Sequence, residues 1–257
     1  MQKFVIIPLL MLGFWSCVKE HSSTPPEKDP APISKAQQVV DQAIASHGDT
    51  AYENATMQFI FRDRLYKRQR SGGTYQYERI FSNPEDSSQT IRDILSNTNF
   101  SREVNGSAVA IPDTMAAKYS NSVNSVIYFA LLPYRLNDPA VIKEYLGEST
   151  IKGTPYDKIQ ITFQEEGGGK DFDDTFIYWF HKETHQLDYL AYNYATDGGG
   201  TRFREAINSR MVQGIRFQDY INYKMDKTLP LEIADSLFEV GELEELSQII
   251  LESIEVN

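Results

Sequence analysis

The chain has 257 residues, of which 41% are hydrophobic and 12% are aromatic. This apolar content excludes intrinsic disorder and is enough to build a sizeable core. The 25 Lys and Arg residues against 36 Asp and Glu residues give a formal net charge of −11, which argues against nucleic acid as a partner.

The first 16 residues are typical of a secretory signal peptide. Lys3 precedes an apolar stretch over residues 4–15, and the small residue Ser16 follows it. This stretch is shorter than the roughly 20 apolar residues that a bilayer span requires. We therefore predict that residues 1–16 are a cleaved signal peptide and not a membrane anchor.

The lone cysteine, Cys17, comes directly after Ser16 and resembles the lipid-attachment cysteine of bacterial lipoproteins. Phe14 and Trp15 depart from the usual lipoprotein pattern, so an ordinary signal peptide with an incidental cysteine is the alternative. An unpaired thiol in an oxidising compartment would be a liability, which favours lipidation. We predict that residues 17–32 are the lipid-attachment cysteine and a proline-rich tether, which anchors the chain to the outer membrane on its periplasmic face or at the cell surface.

Two helices are expected in the folded part. Ser34 can cap a helix over residues 34–47, in which apolar residues recur at spacings of three and four. A second helix is expected over residues 112–132, with Ile127 on its apolar side, and Pro133 ends it. Both helices are amphipathic, so each is expected to cover another element.

Elsewhere the apolar residues alternate, which predicts strands. Turn signals stand at Ser71-Gly72-Gly73, Asn105-Gly106 and Gly167-Gly168-Gly169, and a last strand is expected over residues 249–256. We count roughly ten strands in an antiparallel meander. The sequence predicts one domain over residues 33–257, of mainly β with α (α+β) class: a curved antiparallel sheet or incomplete β-barrel that the two helices cover.

The cysteine after the signal, the leading helix and the aromatic run Phe176-Ile177-Tyr178-Trp179-Phe180 together resemble uncharacterised lipoproteins of the Bacteroidetes group. The folded part of that group is similar to the lipoprotein carriers LolA and LolB. The resemblance implies an incomplete barrel whose concave apolar face holds acyl chains. A lipidated Cys17 would make this chain stationary, more like a membrane-anchored receiver than a diffusing carrier.

The concave face is expected to carry aromatic side chains from the alternating strands. An alternative is that these rings only fill the core, and a slip of one residue would exchange the buried and exposed sets. The residues predicted to line a cavity are Phe59, Phe61, Tyr75, Tyr77 and Ile127.

A basic run follows the first of these aromatic residues, with Arg62, Arg64, Lys67, Arg68 and Arg70. The overall acidic charge argues against nucleic acid binding here. We interpret the run as a solvated strand face. Another interpretation is that it lies beside the acidic segment over residues 228–257.

No pattern specifies a metal site or a reaction. His181 and His185 stand at the spacing of a zinc pair on a helix, but alternation around them predicts a hairpin bend. Asp171, Asp173 and Asp174 do not fit a calcium-binding loop. We therefore expect no metal, no cofactor and no catalytic residue.

The leading hypothesis is a non-enzymatic envelope lipoprotein that binds a hydrophobic ligand or a lipidated client protein in an apolar concave cavity. A membrane-anchored protein interaction module is the first alternative. A hydrolase of unknown substrate is the second.

Overall fold

The computed structural model describes residues 32–166, 173–195 and 198–257. Its first half contains α1 (Lys35–His47), α2 (Ala51–Asn54), β1 (Met57–Phe61), β2 (Arg64–Ser71), β3 (Thr74–Asn83), β4 (Asp86–Ser96), β5 (Phe100–Val104), β6 (Ser107–Val109), α3 (Asp113–Ala130) and a 3₁₀ helix (Tyr134–Asn137). Its second half contains β7 (Val141–Ile151), β8 (Thr154–Phe163), β9 (Phe176–His181), β10 (Leu187–Tyr194), β11 (Gly200–Val212), β12 (Ile215–Met225), a 3₁₀ helix (Leu231–Ile233), α4 (Ala234–Glu239), β13 (Glu244–Ile249) and β14 (Glu252–Val256).

The strands form two antiparallel sheets of seven strands each. Sheet A has the order β14-β1-β2-β3-β4-β5-β6, and sheet B has the order β13-β12-β11-β10-β9-β8-β7. The chain passes from sheet A to sheet B through α3 and returns through residues 250–251. In the part of the chain that the structure describes, no strand pairing joins the sheets into a closed barrel.

The return from sheet B to sheet A is fixed by a buried carboxylate. The backbone N–H of Leu251 donates to Asp219 on β12 at 2.9 Å. Arg210 on β11 donates from Nη2 both to Asp219 and to the carbonyl oxygen of Leu251. Since Asp219 is 3% exposed, this charge-assisted network holds the start of β14 against sheet B with little competition from water.

Sheet B is buried on both faces. On β9, Phe176, Tyr178 and Phe180 point to the face that α1 covers, together with Val39 and Val40 of that helix. Ile177 and Trp179 point to the opposite face, which α4 covers. Two covered faces explain why this strand reads as a continuous apolar run and not as an alternating one.

Sheet A is covered on one face by α3. The apolar part of this contact contains Phe59 and Tyr77 from the sheet with Val123 and Ile127 from the helix. Val123 and Ile127 are the buried residues of this 18-residue helix, so most of α3 is only partly covered. The helix therefore packs on sheet A through a narrow buried stripe, and most of its other residues remain partly accessible to solvent.

A charge network occupies the rest of that contact. Asp93 is fully buried and accepts from Arg79 and Arg102, with nitrogen–oxygen distances of 2.5 to 3.0 Å. Arg79 also donates to Ser122 of α3 at 2.7 Å. The guanidinium carbon of Arg102 lies 3.7 Å from the centre of the Tyr119 ring, also on α3. These directional contacts seat the first half of the helix on the sheet.

The predicted helices are confirmed. The Ser34 hydroxyl accepts from the N–H of Gln37 at 3.2 Å and so caps α1. Gly48 ends this helix with φ +138°, and a Cβ there would lie 2.9 Å from the carbonyl oxygen of Gly214 on the neighbouring hairpin. Only glycine fits both the conformation and the space. The helix expected over residues 112–132 is α3.

Two strand predictions were wrong. The single strand expected over residues 249–256 is two strands, β13 and β14, which belong to different sheets. The described residues contain 14 strands instead of about ten, because β4 and β7 were not predicted and some segments expected to be one strand are hairpins. One example is the segment after Met57, where β1 and β2 are separated by Arg62 and Asp63, both with positive φ.

The solvated-face interpretation of the basic run was also wrong at one position. Arg68 is 1% exposed and donates from Nη1 to the carbonyl oxygen of Ala55. Arg68 is two positions after Tyr66 on β2, so its side chain points to the same, core-facing side of the strand. Among the described residues, none of the five basic side chains forms an ion pair with the acidic segment over residues 228–257.

Candidate functional site

A half-open cavity of about 280 Å³ lies where α3 meets the end of β1 and the strands β11 and β12 of sheet B. Its volume is close to the lower end of the roughly 300–1,000 Å³ that is usual for small-molecule sites. Apolar side chains supply much of its wall: Phe61, Val126, Phe129, Ala130, Ile249 and Leu251.

A second cavity of about 210 Å³ adjoins the first. Phe61, Arg62 and Val126 line both, so these three side chains stand at the boundary between the two spaces. Arg64 lines the second cavity and stacks on Phe81, with its guanidinium carbon 4.7 Å from the ring centre. We refer to these two adjoining cavities beside α3 together as the channel, and Arg62 and Arg64 are basic residues that line it.

Arg204 projects from β11 into the first cavity. It is 9% exposed, and its guanidinium carbon lies 4.1 Å from the centre of the Phe129 ring. Nη2 donates to the Tyr192 hydroxyl at 2.8 Å, whereas the buried Nε has no hydrogen-bond partner. Among the described residues, no carboxylate lies within 4 Å of this guanidinium.

Neutral polar groups lie beside Arg204 on β12. Gln218 donates from Nε2 to the Tyr220 hydroxyl at 2.6 Å and to the carbonyl oxygen of Leu187 at 2.9 Å. Burial raises the pKa of Tyr220, so its hydroxyl stays protonated at neutral pH. The residues beside Arg204 on β12 are therefore uncharged, and Arg204 adds a buried positive charge to the first cavity.

The five residues predicted to line a cavity lie close together in the fold, but only one of them lines a cavity. Phe59, Phe61, Tyr75, Tyr77 and Ile127 belong to one apolar cluster between sheet A and α3. Of the five, Phe61 lines both cavities, whereas the other four pack in the adjoining core. Ligand binding by this set remains a prediction, which now rests on Phe61. The predicted lipid-attachment residue, Cys17, lies outside the described residues.

Sequence reasoning missed the side chains that sheet B and α3 contribute to the cavity. Arg204, Phe129 and Tyr192 are distant in sequence and meet only in the fold. Alternation along β11 could place Phe203 and Arg204 on opposite faces. The alternation does not show which of the two faces borders the cavity, because both faces of sheet B are buried.

The described histidines lie away from the cavity. His47 is fully buried between α1 and sheet B, where burial and the nearby Arg216 lower its pKa from 6.5 to about 3. His181 accepts at Nδ1 from the N–H groups of Glu183 and Thr184, which confirms the predicted hairpin bend. His185 belongs to the same bend, with φ +57°.

Metal ligands do not cluster in the described part of the chain, where no three His, Cys, Asp or Glu residues are placed to hold an ion. Of the three candidate aspartates, Asp171 lies outside the described residues. Asp173 is exposed and Asp174 is half-buried, just before β9.

Comparison with known proteins places the chain in a family. The model of a family of unknown function, DUF6503, matches residues 31–250. The chain belongs to the DUF6503 family. No curated protein sequence matches this DUF6503 member.

Three solved structures resemble the DUF6503 fold at low sequence identity. A DUF1329 family protein from Desulfovibrio piger is 12% identical with a TM-score of 0.51, and the match covers 88% of this chain and 94% of that one. A LolA superfamily protein from Nitrosomonas europaea is 9% identical, with a TM-score of 0.46 and coverage of 88% and 94%. A putative outer membrane lipoprotein-sorting protein domain from Vibrio parahaemolyticus is 9% identical, with a TM-score of 0.40 and coverage of 73% and 86%.

The predicted fold class is confirmed. The DUF6503 chain is mainly β with some helices, and its two antiparallel sheets are not closed into a barrel in the residues that the structure describes. At these identities the likeness concerns the fold alone. Within the described residues, no helix is long and apolar enough to cross a membrane.

Proposed function

We propose that this protein is a non-enzymatic lipoprotein of the cell envelope that binds an acyl chain, from a lipid or a lipidated client protein, in the cavity beside α3. The observation that carries the proposal is the cavity itself: a half-open space whose wall is in large part apolar, beside a helix that is only partly buried. Apolar walls that stay partly open favour an apolar ligand, because water gains little there.

The size of the cavity favours a single chain. Burial of one methylene contributes about 0.8 kcal/mol, so ten methylenes contribute about 8 kcal/mol before the ordering of a flexible chain is subtracted. Micromolar binding requires about 8 kcal/mol after that subtraction. Chain burial alone therefore falls short of micromolar affinity by this ordering cost, and polar contacts at the cavity must supply the difference.

The test is a titration with a fluorescent fatty-acid analogue. We expect saturable binding at one site on the wild-type protein. Val126→Trp places a large ring where the two cavities meet and should weaken binding at least tenfold. Lys118→Trp adds the same ring at an exposed position of the same helix and should leave binding unchanged.

Thermal denaturation of both variants shows whether they remain folded. Equal binding by the wild type and by a folded Val126→Trp variant would contradict the proposal. No binding by the wild type would put the protein interaction module in its place.

We also propose that Cys17 carries the lipid that anchors the protein to the outer membrane. The short apolar stretch, Ser16 and the single thiol support this proposal. The intact mass of the protein extracted from membranes should exceed the mass of an unmodified chain that begins at Cys17, and Cys17→Ala should release the protein to the soluble fraction. An unmodified mass for the membrane-extracted protein would contradict it.

A further inference from the structure

Arg204 differs from the other buried arginines of the chain. Arg79 shares Asp93 with Arg102, and Arg216 lies 3.5 Å from Asp188. Arg204 has one hydrogen bond, to the Tyr192 hydroxyl, and a buried Nε without a partner. A guanidinium is a cation, so this side chain places a positive charge among neutral side chains.

Arg68 is the other buried arginine without a carboxylate nearby, and its setting is different. It is sealed in the core between sheet A and α2, where it donates to the Ala55 carbonyl oxygen. Arg68 lines neither cavity, whereas Arg204 lines the larger one. Among the buried arginines of the described residues, Arg204 is therefore the one that combines a charge without a carboxylate partner with space for a ligand beside it.

A buried and unpaired charge is strongly unfavourable, and a hydrogen-bonded anion removes most of that cost. A carboxylate suits the guanidinium because it accepts two parallel N–H bonds, as a phosphate also does, and it is the smaller of the two groups. The cavity offers room for one such group beside Arg204 and an apolar wall that leads away from it toward Phe61.

We propose that the ligand is a free fatty acid, a single acyl chain with its own carboxylate, and that it binds with the carboxylate inward on Arg204. This inference rests on the proposed acyl-chain function and narrows it. An acyl chain attached through an ester or amide bond, as in a phospholipid or a lipidated protein, has no carboxylate to offer at this position.

The rim has the charge that such a ligand needs. Arg62 is exposed at the mouth of both cavities, and Arg64 lines the second one. Among the described residues, neither forms an ion pair with an acidic side chain. In a protein of net charge −11, this local positive patch attracts an anionic amphiphile to the mouth of the cavity.

The experiment compares palmitic acid with two neutral ligands of the same chain length, hexadecanol and methyl palmitate, by displacement of the fluorescent analogue. Hydrogen bonds to charged groups make the acid bind about tenfold or more tightly than either neutral ligand. Lysophosphatidic acid, which has one acyl chain and a phosphate, is the third comparison. It should bind more weakly than palmitic acid, because its bulkier head does not reach Arg204.

Arg204→Met removes the charge and keeps an apolar stem. We expect the acid to lose its advantage over hexadecanol, while hexadecanol binding changes less than threefold. Arg204→Lys keeps a positive charge and should retain part of the preference. Arg202→Met is the matched control, since Arg202 is on the same strand and also donates to a tyrosine hydroxyl, that of Tyr194, but lines neither cavity. It should keep the full preference for the acid.

Stability provides an independent readout. Because Arg204→Met removes the group that holds the carboxylate, palmitic acid should raise the melting temperature of the variant less than it raises that of the wild type.

Equal affinity of the wild type for palmitic acid and hexadecanol would overturn the inference and leave the acyl-chain function standing. Tighter binding of lysophosphatidic acid than of palmitic acid would overturn it in favour of a phosphate head group. No binding of any of these ligands would overturn the inference together with the proposed function. The wild-type comparison is sufficient by itself if Arg204→Met does not fold.

Discussion

Sheets A and B have the same number of strands and the same antiparallel pairing, but they are stabilised in different ways. Sheet B packs apolar side chains on both faces, against α1 on one side and α4 on the other. Sheet A packs one face against α3, and part of that contact is the buried charge network around Asp93. The cavity lies where the partly covered helix of sheet A reaches the densely packed sheet B.

This difference suggests a division of roles. Sheet B, with two covered faces, is a rigid support that positions Arg204, Tyr192 and Gln218. Helix α3 has few buried residues, and regions with few buried apolar contacts open at lower free energy than the core. A ligand that enters beside α3 would therefore contact sheet B, which is well packed, on one side and α3, which is more easily displaced, on the other.

The largest effect is expected from a substitution that disrupts the apolar contact between α3 and sheet A. Ile127 is 1% exposed, and Ile127→Asp would bury an unpaired carboxylate there. Such burial costs several kcal/mol against a total stability of about 5–15 kcal/mol, so we expect the protein to lose its cooperative unfolding transition.

The control is Lys118→Asp, at an exposed position of the same helix, which should change stability by less than about 0.5 kcal/mol. A wild-type melting temperature for Ile127→Asp would show that α3 is not seated on sheet A as described.

A smaller but still large effect is expected from the charge network of sheet A. Asp93→Asn would leave Arg79 and Arg102 buried without their carboxylate, which we expect to cost about 3–5 kcal/mol in urea denaturation. Glu103→Gln is the control, because the Arg92–Glu103 pair is more exposed and such pairs contribute about 0–1 kcal/mol. Equal losses in the two variants would contradict the distinction between the buried and the exposed network.

The smallest expected effect is a pH dependence of stability due to His47, which lies between α1 and the face of sheet B that α1 covers. Arg216 and the Leu187 N–H donate to Nε2 of this buried imidazole, so Nδ1 carries the proton and donates to the Ala43 carbonyl oxygen at 2.8 Å. The pKa of His47 is about 3 in the folded protein, compared with 6.5 for an exposed histidine in the unfolded chain. Between these values the unfolded chain binds a proton that the folded protein does not, so stability falls as the pH decreases from 6.5 toward 3.

From pH 7 to pH 5 this single group should cost about 2 kcal/mol of unfolding free energy. The measurement is urea denaturation at both pH values for the wild type and for His47→Gln, in which the remaining titratable groups, including Asp188, are the same. The wild type should lose about 2 kcal/mol more than the variant. An identical pH dependence would mean that His47 is accessible to protons and that α1 does not seal sheet B.

The parts of the fold that were predicted correctly depend on local signals. The cap at Ser34, the periodic apolar residues of α3 and the Asn105-Gly106 turn each act within a few residues of the chain. The division into two sheets depends on which distant strands pair. The crossing at residues 250–251 is stabilised by Asp219, more than thirty positions away, and carries no local signal.

The candidate site shows the same limit more strongly. Phe61 was found because it continues the every-second-residue spacing of Met57 and Phe59 along a strand. Arg204 and Arg68 were missed as buried residues because an arginine on a strand is normally interpreted as solvent-facing. Their burial follows from helices that cover those faces after folding, and periodicity along one strand does not contain that information.

The most direct measurement is a crystal structure of residues 33–257 with a long-chain fatty acid that carries bromine at its methyl end. The proposal predicts one anomalous bromine peak in the channel beside Phe61 and Val126, with the carboxylate oxygens at about 3 Å from the Arg204 guanidinium, the normal distance of a charge-assisted hydrogen bond. Bromine only on the outer surface, or a carboxylate at the Arg62 rim with the chain directed inward, would contradict it.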